Sequence, residues 1–342
     1  MQKPILSIVI AVYNSASKAG NVIVDCLDSI FCQNIEEETL EVVCVNDGST
    51  DNTLEVLENY QKEHKNVVVI SQENGGGFAA KNTGIDHVQG SYLWMINSDD
   101  CIKNGSLAAI IEVLQKEKPD LIKVPLMHIP EDKFQMEKVF SQQTFSFRVN
   151  DGSLNPPSDD VTSIMRTDII HSQNIRFIPN THYHSDRLFG VQYFLRVDPT
   201  LIFLSNETVY LRRQRSVSET GKVKTSLQAR NRYVSDSVLM AEEYSQIIQN
   251  KKIENPQLFD FIQSQRWFFT EVAIVSIPSS DFDKDEVFGR LERCGAYPYP
   301  FLMENVKKAP GMKNKILVFF KCFFRFKPIY NIFYSVQKRK NK

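Results

Sequence analysis

Two adjacent aspartates end an apolar segment of this chain with almost no spacer. Tyr92–Ile96 reads YLWMI, and Asn97-Ser98-Asp99-Asp100 follows it directly. Carboxylates this close repel each other unless a cation offsets their charge. Mg²⁺ and Mn²⁺ prefer oxygen ligands of this kind, and such an ion neutralises charge that grows on a departing phosphate group. The pattern therefore indicates a divalent-cation site for phosphate chemistry.

The elements that would position these carboxylates alternate between strand and helix. Strand-like apolar runs occur at Ile5–Val12, Leu40–Val45, Val67–Ile70 and Tyr92–Ile96, and segments with helical spacing of apolar residues separate them. This alternation predicts right-handed βαβ units and a mostly parallel sheet, whose ligands bind beyond the carboxyl ends of the strands. Polar clusters follow all four runs: Tyr13-Asn14, Asn46-Asp47-Gly48, Asn74-Gly75-Gly76-Gly77 and Asn97–Asp100.

The composition is that of an ordinary globular protein. The chain has 342 residues, of which 42% are hydrophobic and 24% charged, which argues against wholesale disorder. Its N-terminal apolar run is too short to span a bilayer and lacks a cleavage site, so we expect a cytoplasmic protein. The six cysteines form no CxxC pair, which predicts reduced thiols.

The charge is distributed unevenly. Eleven Lys or Arg and no Asp or Glu lie from Lys307 onward, which leaves a net charge of −12 on residues 1–306. Ile316–Pro328 interleaves aromatic residues with bases and is too short and too charged to span a bilayer. We expect residues 306–342 to associate with an anionic membrane surface, although a packed helix with a solvated basic end remains open. Nucleic acid is not expected, because the rest of the chain is not basic.

Four motifs in register carry a family resemblance. They are Ser7–Asn14 (SIVIAVYN), Val45–Asp51 (VNDGSTD), Asn74–Gly84 (NGGGFAAKNTG) and Ser98–Asp100. They resemble the inverting glycosyltransferases of family 2, of the type that builds bacterial surface polysaccharides. The resemblance implies a GT-A domain over residues 1–220 of the α/β class, with a mostly parallel central sheet flanked by helices. A Rossmann-like nucleotide-binding half would occupy 1–105 and an acceptor half 106–220, followed by a helical extension at 221–305.

The resemblance also assigns a cation site. Asp99 would be the principal ligand of Mn²⁺ or Mg²⁺, with Asp100 second. The family usually has Asp-x-Asp where this chain has Asn97-Ser98-Asp99, and this departure predicts weaker metal binding. Asn97 can still coordinate through its carbonyl oxygen or bond a ribose hydroxyl.

Further residues are implied for the nucleotide. Asp47 matches the aspartate that pairs with N3–H of uracil, and Tyr13 and Asn14 would contact the base and the ribose. Lys81 lies either near the diphosphate or on a solvated helix face. The complete set of nucleotide-binding candidates is Ala11, Tyr13, Asn14, Asp47, Asn74, Gly76, Lys81, Asn97, Ser98 and Arg213.

An inverting displacement needs a carboxylate that takes the proton of the acceptor hydroxyl. The family places it in a Glu-Asp pair after an apolar strand and before an apolar helix. Here Ile175–Phe177 would be that strand and Ser185-Asp186 the pair, so Asp186 is the candidate base. Asp159-Asp160 follows two prolines, and we expect it to be a solvated loop.

Two further groups are candidates for substrate contact. His182 and His184 flank the candidate base and are acceptor candidates, although loop histidines without further ligands are usually polar lining. Arg212, Arg213 and Arg215 resemble the basic lid of the family, whose guanidinium groups suit a pyrophosphate. Some of this charge is expected to be solvated.

We therefore predict a glycosyltransferase at the inner face of the cell membrane. It would move a sugar from a UDP-linked donor to a hydroxyl of a growing or lipid-linked surface glycan. Two alternatives are a nucleotidyltransferase and a non-catalytic sugar-nucleotide-binding protein. The first would carry a Gly-rich basic loop after its first strand, and Val12–Ala16 has none.

Overall fold

The four strands predicted in the first hundred residues lie side by side in one parallel sheet. They are β1 (Leu6–Val12), β2 (Leu40–Asp47), β3 (Val67–Gln72) and β4 (Tyr92–Asn97), in the order β3-β2-β1-β4. Helices α1 (Val22–Phe31), α2 (Thr53–Glu63) and α3 (Gly77–His87) connect them. Most residues of β1 and β2 are apolar and buried, as expected for strands with both faces of the sheet covered.

The computed structural model describes residues 3–16, 21–33, 35–149, 160–197, 202–215, 222–300, 316, 319 and 321–340. The chain divides into two compact units. Unit 1 contains Met1–Thr181 and Ser185–Ser216, and unit 2 contains His182–His184 and Val217–Lys342.

The sheet of unit 1 continues beyond β4. The added strands are β6 (Leu121–Lys123), β8 (Phe147–Val149), β9 (Ser163–Arg166) and β10 (Ile202–Ser205). Within the described residues the sheet has eight strands in the order β3-β2-β1-β4-β9-β6-β10-β8, and β9 and β8 run antiparallel to the others. The predicted α/β class with a mostly parallel central sheet is confirmed.

A smaller sheet lies beside the end of β4. Strand β11 (Tyr210–Gln214) pairs between β5 (Cys101–Ile102) and β7 (Leu126–Pro130). Because β5 begins immediately after Asp100, this pairing brings β11 against the aspartate pair. The remaining helices of unit 1 are α4 (Ser106–Glu117), α5 (Met136–Phe140), α6 (Thr167–Ser172) and α7 (Ser185–Val197), with single 3₁₀ turns at Glu131–Lys133 and Asp160–Thr162.

One predicted strand is wrong. Ile175–Phe177 precedes the candidate base but has no strand structure. The side chain of Asn82 instead accepts a hydrogen bond from the backbone nitrogen of Phe177 and donates one to its carbonyl oxygen, at 2.9 and 3.0 Å. An amide side chain therefore satisfies the polar backbone groups that a neighbouring strand would otherwise pair.

Unit 2 is helical within the described residues. It contains α8 (Leu227–Asn250), α9 (Pro256–Ser276), α10 (Lys284–Arg293) and α11 (Lys327–Lys340). The side chains of Ser226, Asn255 and Asp283 accept backbone N–H bonds at the starts of α8, α9 and α10, which explains where these helices begin. Across the described ranges, no helix combines the length and hydropathy that crossing a bilayer requires.

Candidate active site

The carboxyl ends of three parallel strands meet at one edge of the sheet. Ala11 of β1 lies in register with Val45 of β2 on one side and Asn97 of β4 on the other. Val12 pairs with Asn46 in the same way. The loops that follow β1, β2 and β4 therefore begin at the same level, as predicted from the polar clusters.

The loop after β1 presents an aromatic side chain at this edge. Tyr13 is 51% exposed. The next residue, Asn14, has a φ of 48°, and its side-chain oxygen accepts a hydrogen bond from the Thr50 nitrogen at 2.8 Å. The hydroxyl groups of Ser15 and Ser98 lie 3.0 Å apart. These bonds tie the loop to its neighbours and leave the Tyr13 ring free to stack on a planar ligand.

Asp47 holds the glycine-rich loop that precedes α3. Its carboxylate accepts hydrogen bonds from the backbone nitrogens of Gly75 and Gly76, each at 2.9 Å, and from the Gln72 amide at 2.8 Å. Asn74 donates to the carbonyl oxygen of Asp47 at 2.9 Å. Asp47 is only 2% exposed, so its first role is to shape this loop. Pairing with uracil remains a prediction.

The turn after Asp47 requires glycine. Gly48 has a φ of 69°, and a Cβ there would lie 2.9 Å from the backbone nitrogen of Asn74. A side chain at this position would therefore push the Asn74 loop away from the strand ends.

Asp100 is buried and fully hydrogen-bonded. It is 1% exposed, and its carboxylate accepts bonds from the Tyr210 hydroxyl at 2.7 Å, the Arg213 nitrogen at 2.8 Å and the Asn97 amide at 3.0 Å. Burial, followed by the charge of Asp99, raises the pKa of Asp100 to about 6. Both oxygens have protein donors, so Asp100 fits a structural role better than its predicted role as second metal ligand.

Asp99 is the more accessible carboxylate of the pair. Its side chain is 30% exposed, and the nearest described ion-pair contact is a guanidinium nitrogen of Arg215 at 3.9 Å. Burial raises the pKa of Asp99, and the Arg215 charge acts in the opposite direction. The described residues contain no group of three or more His, Cys, Asp or Glu side chains that could hold a metal ion. A divalent cation would fit here with the Asp99 carboxylate as one ligand and diphosphate oxygens as others.

Asn97 links two buried charged groups. Its amide nitrogen donates to Asp100 at 3.0 Å, and its amide oxygen accepts from the Lys81 amino group at 3.4 Å. Lys81 in turn lies 2.6 Å from a carboxylate oxygen of Asp160. A neutral amide can face a carboxylate and an ammonium group at once, which an aspartate could not do without repelling Asp100.

Two predictions for this cluster need correction. Asp160 is not solvated: it is 3% exposed and forms a buried ion pair with Lys81. Lys81 is 7% exposed, which excludes the solvated helix face that the sequence left open. Asp159 lies outside the described residues.

Arg213 in β11 and Arg215 just after it both approach Glu131 but differ in their other partners. The Arg213 guanidinium lies 2.6 Å from Asp25, 3.4 Å from Glu131 and 3.9 Å from the centre of the Phe134 ring. With its side chain only 6% exposed, Arg213 fits a phosphate-binding role less well than predicted. Arg215 is 27% exposed and faces Asp99, so it is the better candidate for the diphosphate.

Asp186 lies in the first turn of α7 and is partly exposed. Helix α7 packs against the 3₁₀ turn that carries Asp160. The neighbouring Ser185 is 1% exposed, and its hydroxyl accepts a hydrogen bond from the Ile178 nitrogen at 2.8 Å. Serine at this position therefore anchors the loop before α7, where the family pattern has glutamate.

The two candidate acceptor histidines belong to unit 2. The backbone nitrogens of His182 and Tyr183 donate to Asp236 at 2.8 and 3.0 Å. The His184 ring lies 4.9 Å from the ring centres of Tyr233 and Phe269. These contacts describe packing against α8 and α9, and acceptor binding by either histidine remains a prediction.

Sequence reasoning missed Tyr210 and Asp25 as supports of the site. Tyr210 is fully buried, donates to Asp100 and accepts a hydrogen bond from the Asn97 nitrogen at 3.0 Å. Asp25 lies in the first turn of α1, where an acidic residue is a routine helix feature. No local pattern distinguishes either residue, because each acts on a partner far away in the chain.

Unit 1 thus combines an α/β fold with a cluster of polar residues at the carboxyl ends of its parallel strands. Residues 7–171 match the model of glycosyl transferase family 2.

Two curated relatives each match about a third of the chain. Poly(ribitol-phosphate) beta-glucosyltransferase of Bacillus spizizenii is 37% identical over 118 residues, which are 34% of this chain and 18% of the relative. Glycosyltransferase GlyG of Streptococcus pneumoniae is 33% identical over 119 residues, 34% of this chain and 38% of GlyG. The chain thus spans well under half the length of these relatives.

Solved structures match the fold over a longer range. S. aureus TarS 1–349 in complex with UDP-GlcNAc has a TM-score of 0.60 and 16% identity, covering 97% of this chain and 92% of that one. The mannosyltransferase PcManGT of Pyrobaculum calidifontis, in complex with GDP-Man and Mn²⁺, has a TM-score of 0.55 and 14% identity, covering 99% and 88%. At these identities the likeness concerns the fold.

Proposed function

We propose that this protein transfers a sugar from a UDP-linked donor to a hydroxyl of a surface polysaccharide or its lipid-linked precursor. One observation carries the proposal. The register of β1 and β4 places Ala11 beside Asn97, so the exposed Tyr13 and the accessible Asp99 follow adjacent strand ends. A nucleoside diphosphate needs a stacking surface for its base and neutralisation of its phosphates, and this edge offers both.

The donor would bind across this edge. Tyr13 would stack on the base, and the glycine-rich loop held by Asp47 would lie beside the base. Asp99 would hold a divalent cation, Mn²⁺ or Mg²⁺, which when bound neutralises charge that grows on the leaving diphosphate. Arg215 lies 3.9 Å from Asp99 and would move its guanidinium to the phosphates. The UDP-GlcNAc complex of TarS and the GDP-Man and Mn²⁺ complex of PcManGT support a nucleotide-sugar donor.

The acceptor hydroxyl would lose its proton to Asp186. Inversion requires attack from the face opposite the leaving group, with a carboxylate within hydrogen-bond reach of the attacking oxygen. Asp186 lies in the first turn of α7 and is partly exposed, so an acceptor hydroxyl could reach its carboxylate. The Ser185 hydroxyl fixes the preceding loop through Ile178 and thereby orients the start of the helix.

The proposal is tested by nucleotide binding and by donor hydrolysis. We expect UDP with Mn²⁺ to raise the melting temperature more than GDP or CDP does. A ligand at a hundredfold excess over its Kd adds about 2.7 kcal/mol to the free energy of unfolding. Release of UDP from its donor sugar should fall by about a factor of 10² or more in Asp186→Asn with nucleotide binding retained. Asp99→Asn should lose the Mn²⁺-dependent part of the shift.

Asp168→Asn is a matched control for both variants. Asp168 forms an ion pair with Arg166, which lies in register with Tyr92 at the opposite end of β4. This variant should bind and turn over like the wild type. Tight UDP binding with no turnover for any donor would instead favour a non-catalytic sugar-nucleotide-binding protein.

A further inference from the structure

Helix α11 presents a row of apolar side chains to solvent. Ile329, Ile332 and Val336 are 41%, 69% and 47% exposed, and Phe326, just before the helix, is 49% exposed. Spacings of three and four residues place the three helical positions on one face. A helix of a soluble protein normally turns such a face inward, so this row has no partner within the described part of unit 2.

The opposite face fixes the orientation of the helix. Tyr330 is fully buried, and its hydroxyl donates to the carbonyl oxygen of Ile274 at 2.9 Å. Near the other end, the Lys338 amino group donates to the carbonyl oxygen of Ser280 at 2.9 Å. Rotating α11 to bury the apolar row would break both contacts. The outward direction of the row is therefore built into the packing of unit 2.

Charge around the row identifies its partner. Arg325 precedes it and the exposed Arg339 follows it, and the chain has no Asp or Glu after Glu304. A second copy of the protein would bring the same positive charge to the contact. An anionic lipid surface instead combines an apolar layer for the isoleucines with negative headgroups for the bases.

We propose that the Ile329–Ile332–Val336 face of α11 docks on an anionic lipid surface. The apolar side chains enter the boundary between headgroups and acyl chains, while Arg325 and Arg339 contact the headgroups. The helix lies parallel to the surface and remains attached to unit 2 through Tyr330. This docking does not depend on glycosyl transfer, so its test can fail without affecting the proposed reaction.

Vesicle sedimentation of the full chain tests the proposal. The wild type should pellet with vesicles rich in phosphatidylserine, much less with pure phosphatidylcholine, and less as salt rises. Ile332→Ser combined with Val336→Ser should weaken binding by about tenfold or more, because apolar burial is lost. Asn331→Ala combined with Ser335→Ala, at two exposed polar positions of the same helix, should bind like the wild type.

Further measurements separate the remaining outcomes. Arg339→Gln combined with Lys340→Gln should weaken binding and reduce its salt dependence while leaving the apolar row intact. All variants should keep the wild-type melting temperature, since every described substituted side chain is exposed. A wild type that does not pellet, or a serine variant that pellets equally, would overturn the proposal. So would a wild-type dimer that the serine variant converts to a monomer without any vesicle binding.

Discussion

The amino group of Lys81 lies 2.6 Å from a carboxylate oxygen of Asp160, and both side chains are at most 8% exposed. The pair joins α3 to the 3₁₀ turn before β9, across 79 residues of chain. The rings of Phe78 and Phe177 lie 5.9 and 5.7 Å from the amino group. Apolar surroundings make the attraction strong and an unpaired charge costly.

Asp160→Asn should therefore destabilise the protein. It leaves the Lys81 charge buried against a neutral partner, and loss of one member of such a pair costs about 3 kcal/mol or more. Replacing both residues, with Lys81→Met and Asp160→Leu, should cost less than Asp160→Asn alone. Urea unfolding of the three proteins measures this. Asp86→Asn, which breaks an exposed ion pair with Arg176, is the control and should cost less than about 1 kcal/mol.

Asn97→Asp should lower stability in the absence of metal. The new carboxylate would face Asp100 from the position where the amide nitrogen now lies, 3.0 Å from a carboxylate oxygen. We expect a loss of about 2 kcal/mol that Mn²⁺ partly restores, because the change creates the family's Asp-x-Asp pattern. Melting temperatures with and without Mn²⁺ measure both effects. Asn97→Ala adds no charge and should show no recovery by metal; an equal response of the two variants would contradict the argument.

The fold was predictable because its signals are local. Strands β1, β2 and β4 are buried on both faces, so each is a short and mostly apolar run that ends in a polar cluster. Parallel topology then places those clusters at one edge whatever their partners are. The motif residues Tyr13, Asp47 and Asp99 follow from this reasoning.

The electrostatic partners were not predictable because they are distant in the chain. Asp160 follows a proline-containing segment that indicates a loop, and nothing near it reveals Lys81. Arg213 was assigned to the phosphate because the arginines near it resemble the basic lid of the family, whereas β11 turns its guanidinium toward Asp25. Because side chains alternate along a strand, Arg212 and Arg213 point to opposite faces of β11. One of the two could therefore have been excluded as a phosphate ligand from the sequence.

The contribution of Asp236 to stability should depend on pH. Asp236 is 5% exposed, and burial raises the pKa of its carboxyl although two backbone N–H groups oppose the rise. The pKa of Asp236 is higher in the folded protein than the unfolded value of 3.8. Its protonated carboxyl therefore makes its full contribution to the free energy of unfolding below pH 3.8. The contribution is lost as the pH rises through the folded pKa.

Asp236→Asn removes this titration but keeps an oxygen that can accept from His182 and Tyr183. The free energy of unfolding of the variant, relative to the wild type, should therefore increase between about pH 4 and pH 7. Urea unfolding at both pH values measures it. Asp260→Asn, at an exposed position of unit 2, should give the same small difference at each pH. A constant difference for Asp236→Asn would show that the carboxyl does not titrate in this range.

Thiol labelling reports on the burial of the sheet. Cys26, Cys44, Cys101 and Cys322 are buried, and Cys32 and Cys294 are partly exposed. Burial, with a smaller effect of Asp28, raises the pKa of Cys32. We expect N-ethylmaleimide at pH 8 to label Cys294 first and Cys32 more slowly, with the buried thiols reacting only in urea. Peptide mass mapping measures the order, and rapid native labelling of Cys44 on β2 would contradict the fold.

Arg213 and Arg215 should differ in what they support. Arg213→Met removes the contacts with Asp25 and Glu131, so the protein should lose about 2 kcal/mol or more of unfolding free energy. Arg215→Met removes a partly exposed guanidinium beside Asp99 and should leave the melting temperature nearly unchanged. Its affinity for UDP should fall about tenfold, since one charge-assisted contact to phosphate is worth roughly 1.5 kcal/mol or more.

Titration of each variant with UDP, in parallel with thermal melts, tests this assignment. Arg215→Lys keeps the charge and should recover part of the affinity, although it loses the planar pair of donors. Should Arg213→Met weaken UDP binding while its stability is unchanged, the guanidinium of Arg213 would have to leave Asp25 when the nucleotide binds. The phosphate-binding role predicted for Arg213 from the sequence would then be supported.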